Sequence, residues 1–236
     1  MSQRTNDLGQ PIGPPLPNHA PGLQPPRDVL TGRLCRLEPL RAEQHAAALF
    51  DAYAEDVDGR NWTYLPYGPF ETADAYRGFV EGMQERDDPV FYAIVSLETR
   101  RPVGVASYLR IEPSHGVIEV GHLCYAPSFQ RTPASTEAMF LMMAHAFEDL
   151  GYRRYEWKCD SLNAPSRAAA LRLGFQYEGT FRQAVVMKGR SRDTAWFSIL
   201  DREWPERKRA FEAWLDPANF DAAGRQRRRL ESLAAT

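Results

Sequence analysis

The chain has 236 residues and a formal net charge of −2, with 43% apolar and 25% charged residues. That apolar share can build a sizeable core, and the near-neutral charge gives no general pull towards nucleic acid or an anionic membrane. No apolar run reaches membrane-spanning length and the N-terminus lacks a signal-peptide core, so a cytoplasmic protein is expected.

Met1 to Arg27 carries seven of the 18 prolines and few large apolar residues, the composition of an extended arm, disordered or draped over a surface. The expected organisation is a proline-rich arm over 1–28, one main domain over 29–204 and a C-terminal helical extension over 205–236. Val29–Leu40 alternates loosely and reads as a first strand, and Ala42–Ala54 as a helix with Ala46, Leu49, Phe50 and Tyr53 on one side. Asn61 to Phe70 is an aromatic, proline-punctuated loop holding Trp62, Tyr64 and Tyr67. Rigid rings in a loop suit a binding wall, and they equally suit a loop pinned to the core. Thr72 can cap the next helix, whose apolar side is Ala75, Tyr76, Phe79, Val80 and Met83.

Val90–Leu97 and Val103–Ile111 read as a hairpin that leads through Pro113–Gly116 into a central strand, Val117–Tyr125. Glu119 is a lone carboxylate between Ile118 and Val120. His122, three residues on, should face the opposite side of the sheet unless a bulge intervenes. A buried helix follows, with Met139, Met142, Met143, Ala146, Phe147 and Leu150 spaced three and four apart and Gly151 at its cap. At its front Thr132 can cap and Pro133 suits the first helical position. The amides of Ala134, Ser135 and Thr136 are then expected to point out of a positive helix end beside Arg131, where an anion could bind. Tyr152–Ser161 is a strand that should run parallel to the central one, since a helical crossover precedes it. Pro165–Leu173 is a short helix. Phe175–Met187 and Thr194–Trp204 are long strands joined by a polar turn, Lys188–Asp193. Glu206–Leu215 and Ala222–Leu233 are expected helices, and Arg225, Arg227, Arg228 and Arg229 read as a solvated helix end. Cys35, Cys124 and Cys159 are odd in number and set in strands, which suits reduced, buried thiols. Metal-ligand spacing is absent, and no metal is expected.

Four pieces in this order resemble the GNAT family of acetyl-coenzyme A-dependent N-acetyltransferases, and within it the ribosomal-protein N-terminal acetyltransferases. They are Glu119-Val120-Gly121, Gln130–Ala138, Asn163-Ala164-Pro165-Ser166 and Leu173–Gly179, and the likeness spans roughly Leu30–Trp204. The resemblance implies an α/β fold: a mixed, mostly antiparallel twisted sheet of about seven strands, two central strands splayed apart, and flanking helices. It implies that acetyl-coenzyme A lies in the splay. Leu123, Cys124 and Tyr125 would present backbone to the pantetheine arm, and Gln130, Arg131, Thr132, Ala134, Ser135 and Thr136 would meet the pyrophosphate. Asn163 and Ser166 would lie near the thiol half. Two departures stand out. Pro133 and Ser135 occupy the small positions of the family's phosphate loop, so one N–H is missing there and the Ser135 hydroxyl could replace it. Ala170 stands where many members carry a tyrosine.

Transfer to an amine needs a neutral nitrogen, which an α-amine reaches far more easily than a lysine. Glu119 is the first candidate for the base, with an ion pair to Arg110 as its structural alternative, and His122 is the second, with a packed histidine as its alternative. Ser166 could return a proton to the thiolate. The acceptor is an amine of unspecified identity, with Trp62, Tyr64 and Tyr67 as its wall. A catalytically silent acyl-coenzyme A binder is the other reading of the same motifs. Neither nucleic acid nor membrane is expected as a partner, and a homodimer is left open.

Overall fold

In the computed structural model the arm is draped rather than loose. Residues 4–233 are described; Met1–Gln3 of the expected arm and 234–236 of the expected tail lie outside the described residues. Strands β1 (Arg4–Thr5) and β2 (Pro11–Ile12) form a small hairpin. Further along, the Gly22 and Leu23 amides donate to the Pro113 and Leu150 carbonyls at 3.0 and 2.9 Å. Tyr92 donates its hydroxyl to the Pro26 carbonyl at 2.8 Å.

The expected first strand breaks into β3 (Leu30–Thr31) and β4 (Cys35–Pro39). The cause is Glu137, a buried carboxylate that accepts the amides of Arg33, Leu34 and Cys35 at 3.0, 2.6 and 2.9 Å and so turns the chain. Gly32 makes this approach possible, since a Cβ there would lie 2.5 Å from a Glu137 oxygen. A π-type turn at Ala42–Ala46 opens α1 (Ala47–Tyr53), and α2 (Ala73–Met83) is capped by Thr72, which accepts from the Ala75 amide at 3.1 Å. Then come β5 (Val90–Ser96), β6 (Pro102–Glu112), β7 (Val117–Tyr125), α3 (Pro133–Ala144), β8 (Arg154–Asp160), α4 (Ala164–Arg172), β9 (Gln176–Met187), β10 (Arg190–Leu200), α5 (Trp204–Leu215) and α6 (Leu230–Leu233).

One sheet of eight strands runs β3-β4-β5-β6-β7-β8-β10-β9, antiparallel throughout except β7 with β8. The split of the first strand accounts for eight rather than about seven. Helices α3 and α5 cover one face and α1 and α2 the other, giving two buried clusters. Helix α3 is apolar around most of its girth because α5 packs on its outer side, with Phe140 5.5 Å from Phe211.

Two expectations are corrected here. The β9–β10 turn is only Lys188–Gly189, both at positive φ, which matches the twist of a two-residue hairpin, and Arg190–Asp193 belong to the strand. Residues 222–229 are not helical. Asp221 accepts the Ala223 and Arg225 amides at 2.9 Å and Asn219 accepts that of Arg228 at 2.9 Å, so side chains take the bonds a helix would use.

Candidate active site

Strands β7 and β8 pair only from Val117–Val120 to Arg154–Trp157. Beyond that, each keeps its other neighbour, β7 with β6 and β8 with β10, but not the other. The register of β7 explains part of this. Ser107 faces Gly121 and Val105 faces Cys124, so one residue of β6 lies opposite two of β7, and His122 takes a φ of +52°. Such a bulge bends the strand and reverses its side-chain alternation. Before it Ile118 and Val120 face α3; after it Leu123 and Tyr125 do, while Cys124 enters the α1–α2 cluster. Glu119 and His122 consequently line the same cleft. The bulge condition raised by the sequence is met.

On the α3 side of the gap lies a cavity of about 730 Å³, lined by Tyr125, Gln130, Arg131, Ser135, Thr136 and Trp157 together with α4 and the tail residues Trp214, Phe220 and Gln226. Thr132 does cap α3, and this changes the picture of three outward amides. Its hydroxyl accepts the Ser135 amide at 3.1 Å and its carbonyl takes the Thr136 amide at 3.4 Å, leaving that of Ala134 without an acceptor. The Ser135 hydroxyl also donates inward, to the Thr132 carbonyl at 2.8 Å. Gln130 turns to the strand end, donating to the Tyr125 carbonyl at 3.0 Å and to Asn61 at 2.9 Å. The Cys124 side chain faces the second core and its carbonyl accepts the Tyr53 hydroxyl at 3.2 Å, so neither points along the gap. Two cations at the cavity make no carboxylate ion pair among the described residues, although Glu231 is near enough to Arg172 to be felt. One is Arg131. The other is Arg172, which donates to the Thr136 hydroxyl at 3.1 Å and stacks 4.8 Å from the Trp214 ring. This chain fits an acyl-coenzyme A on its own terms: an open strand gap for an amide-bearing arm, and cations beside a helix N-terminus for a diphosphate. Arg172 and the tail wall were not legible from local motifs.

On the opposite side a cleft of about 310 Å³ is lined by Tyr64 and Pro66 from the aromatic loop, Glu119 and His122 from β7, Asn163 and Ser166 from α4, and Met187, Arg192 and Thr194 from the hairpin. Lys188 donates to the Trp62 and Gly68 carbonyls at 2.7 Å each, and Arg190 to Thr63 at 3.0 Å, tying hairpin to loop. Tyr64 closes the other end, its hydroxyl donating to the Leu162 carbonyl at 3.3 Å. Of the three expected wall residues, Tyr64 alone lines the cleft. Trp62, 5% exposed, is wedged edge-on between Tyr53 and Phe70 at 5.2 and 5.5 Å and acts as the pin. Tyr67 packs 4.3 Å from Phe79 behind the cleft, its hydroxyl 3.1 Å from Nδ1 of His122, which lines it.

Glu119, 5% exposed, lies 3.2 Å from Arg110 and 2.8 Å from Lys158. Lys158 in turn meets Glu156 at 2.7 Å and sits over the Trp196 ring at 3.7 Å. Burial pushes the Glu119 carboxyl above its ordinary range while the two cations oppose that rise. Burial also pushes His122 down to about 4, so its imidazole is neutral at pH 7. Ser166 Oγ accepts the Trp157 indole N–H at 3.0 Å, and Asn163 caps α4 by accepting the Ser166 amide at 3.1 Å. Cys35, Cys124 and Cys159 are all buried and free.

The acetyltransferase (GNAT) domain family matches residues 34–176. An uncharacterized N-acetyltransferase, p20, of Bacillus licheniformis is 31% identical over 182 residues, 71% of this chain and 99% of that protein. The ribosomal-protein-serine acetyltransferase of Escherichia coli is 27% identical over 150 residues, covering 62% and 82% of the two chains. Among solved structures, a GCN5-related N-acetyltransferase from Brucella melitensis superposes with a TM-score of 0.92 at 44% identity, covering 94% of this chain and 100% of that one.

Proposed function

The chain belongs to the GNAT family of acetyltransferases, and from that premise we propose that its acceptor is an α-amine, at a peptide N-terminus or on an amino-acid derivative. The reaction itself is acetyl transfer from acetyl-coenzyme A to an amine, and a silent acyl-coenzyme A binder is not the favoured reading. The observation that carries the site is the end of β7–β8 pairing at Val120 and Trp157. A cavity opens on one side of that gap and a cleft on the other, and Trp157 lines both. Bound in the cavity, the coenzyme supplies a thioester.

The residues then divide the work. Arg131, Thr136 and Arg172 hold the coenzyme's phosphate end, while Gln130 braces the end of β7 beside it. Glu119, ringed by Arg110 and Lys158, takes the amine's proton through water. His122, neutral and held by Tyr67, orients that water or the amine. Ser166, its oxygen accepting from Trp157, relays a proton from water to the departing thiolate, giving up its own as it takes one from the water. A carboxylate of this strength suits an α-amine of pKa about 7.7–8.0 better than a lysine at about 10.4. The ribosomal-protein relative supports a protein acceptor. Free-thiol release measured with a serine-led peptide, and with the same peptide blocked at its N-terminus and carrying a lysine, tests the proposal. Faster release with the free N-terminus is expected; equal or greater release with the lysine peptide would overturn it.

A further inference from the structure

The acceptor cleft holds one guanidinium that the fold does not use. Arg110 and Lys158 are neutralised by Glu119 and Glu156. Asp160, at the cleft edge opposite Thr194, accepts the Leu162 amide at 2.9 Å and makes no ion pair with Arg192. Arg192, on β10, has no carboxylate partner among the described residues. Its Nε is buried and without a hydrogen-bond acceptor; among the described residues its one hydrogen bond is Nη1 to the Met187 sulfur at 4.0 Å, and the Cys159 thiol is near enough to feel its charge. Two residues on, Thr194 is 5% exposed, lines the same cleft and also has an unpartnered hydroxyl. Asn163, across the cleft, spends its oxygen on the Ser166 amide, which leaves its NH₂ donors free.

A buried donor left without an acceptor costs free energy, and a guanidinium more than a hydroxyl. A ligand that supplies the acceptor removes that cost. The fork of a guanidinium matches a carboxylate with two parallel N–H···O bonds, and a threonine hydroxyl can add a third. Resting on the acetyltransferase reading, we propose that Arg192 and Thr194 form an anion subsite in the acceptor cleft, so that the acceptor carries a carboxylate beside its amine. That carboxylate belongs either to a free α-amino acid or to an acidic side chain next to a peptide N-terminus. The cleft, at about 310 Å³, is at the small end of ligand pockets and admits one or two residues.

The test uses two matched pairs of acceptors with acetyl-coenzyme A and the full chain: L-serine against L-serinamide, and Ser-Glu-amide against Ser-Gln-amide. Wild type should favour the carboxylate member of one pair, and the pair that responds identifies its source. Arg192→Gln should collapse that preference by roughly tenfold to a hundredfold, mainly through KM. Arg192→Lys, which keeps charge but not the fork, and Thr194→Val should each collapse it in part. Calorimetric affinity for coenzyme A should not move. Wild type active on both pairs with no preference, or a variant that lowers both members alike, overturns the subsite and leaves the transferase reading intact. Wild type that binds acetyl-coenzyme A yet releases thiol with no amine overturns both.

Discussion

Replacing Glu119 with glutamine separates a base from a structural ion pair, because the two roles predict different magnitudes. The side chain keeps its size, and Lys158 keeps Glu156 at 2.7 Å and the Trp196 ring at 3.7 Å. Arg110, 61% exposed, returns to water. No cation is stranded, so the cost to the fold is about 1–3 kcal/mol, the range of a lost charged hydrogen bond, rather than the 3–5 kcal/mol of an abandoned buried charge. For a chain of this size that is a Tm fall of roughly 2–4 °C per kcal/mol. Loss of a general base costs about 10²–10⁴ in rate, or roughly 3–5 kcal/mol of barrier. The assay is free-thiol release from pH 6 to 9 on folded variant, with Tm measured alongside. The deficit should shrink as pH rises, since more of the amine is already neutral, and coenzyme A affinity should hardly change. Activity within about threefold of wild type across that range would refute the assignment and leave Glu119 as a structural ion pair.

His122 offers a stability test: its folded pKa of about 4 lies below the usual 6.5. Its contribution is therefore fully present above about pH 6.5 and is lost as pH falls towards 4, by at most roughly 3 kcal/mol. His122→Gln should narrow the loss of Tm between pH 7 and pH 4.5; a pH-independent offset from wild type would contradict this. Arg172→Gln should weaken coenzyme A by roughly tenfold to a hundredfold in calorimetry while leaving pantetheine binding unchanged, and equal losses for both would remove Arg172 from the phosphate end. Trp62→Ala should cost about 3–5 kcal/mol of stability as a core truncation, and a raised acceptor KM at unchanged Tm would restore it to the acceptor wall.

What could be read from the chain was whatever a short stretch enforces on itself. The Thr132–Pro133 start, the left-handed Gly151 and the Met-rich run of α3 each carry their own signal, and each lies where expected. What escaped depends on residues far apart in sequence. Glu137 breaks the first strand from 102 to 104 residues away. Trp62 looks the same in sequence whether it walls a cleft or pins a loop; Tyr53 and Phe70 decide. The tail's Asp221 and Asn219 could have been flagged as breakers of a helix over 222–229, since such side chains compete for backbone donors. Lys158, Arg172 and Arg192 sit in ordinary strand and helix contexts, and nothing local distinguishes them from surface cations. Their meaning comes from which carboxylates the fold does or does not bring near.

The geometry also bears on how the acetyl group travels. A covalent relay would need a nucleophile between the two cavities. Cys159 lines the acceptor cleft, but burial raises its thiol above the ordinary range. Cys124 is pushed up to about 12 and points into the α1–α2 core. Ser166 has no base beside it among the described residues, its oxygen accepting from Trp157 and its side chain hydrogen-bonded to the Cys159 thiol. A thiol held neutral is a poor nucleophile, and a serine without a partner base is worse. The strand gap meanwhile lets coenzyme and acceptor enter from opposite sides and meet at Trp157, with no need for one to leave before the other binds. Direct attack of the amine within a ternary complex is the route this arrangement favours. The bulge at His122 makes it workable, because the same reversal of alternation that helps open the gap also brings His122 to the cleft that Glu119 already lines.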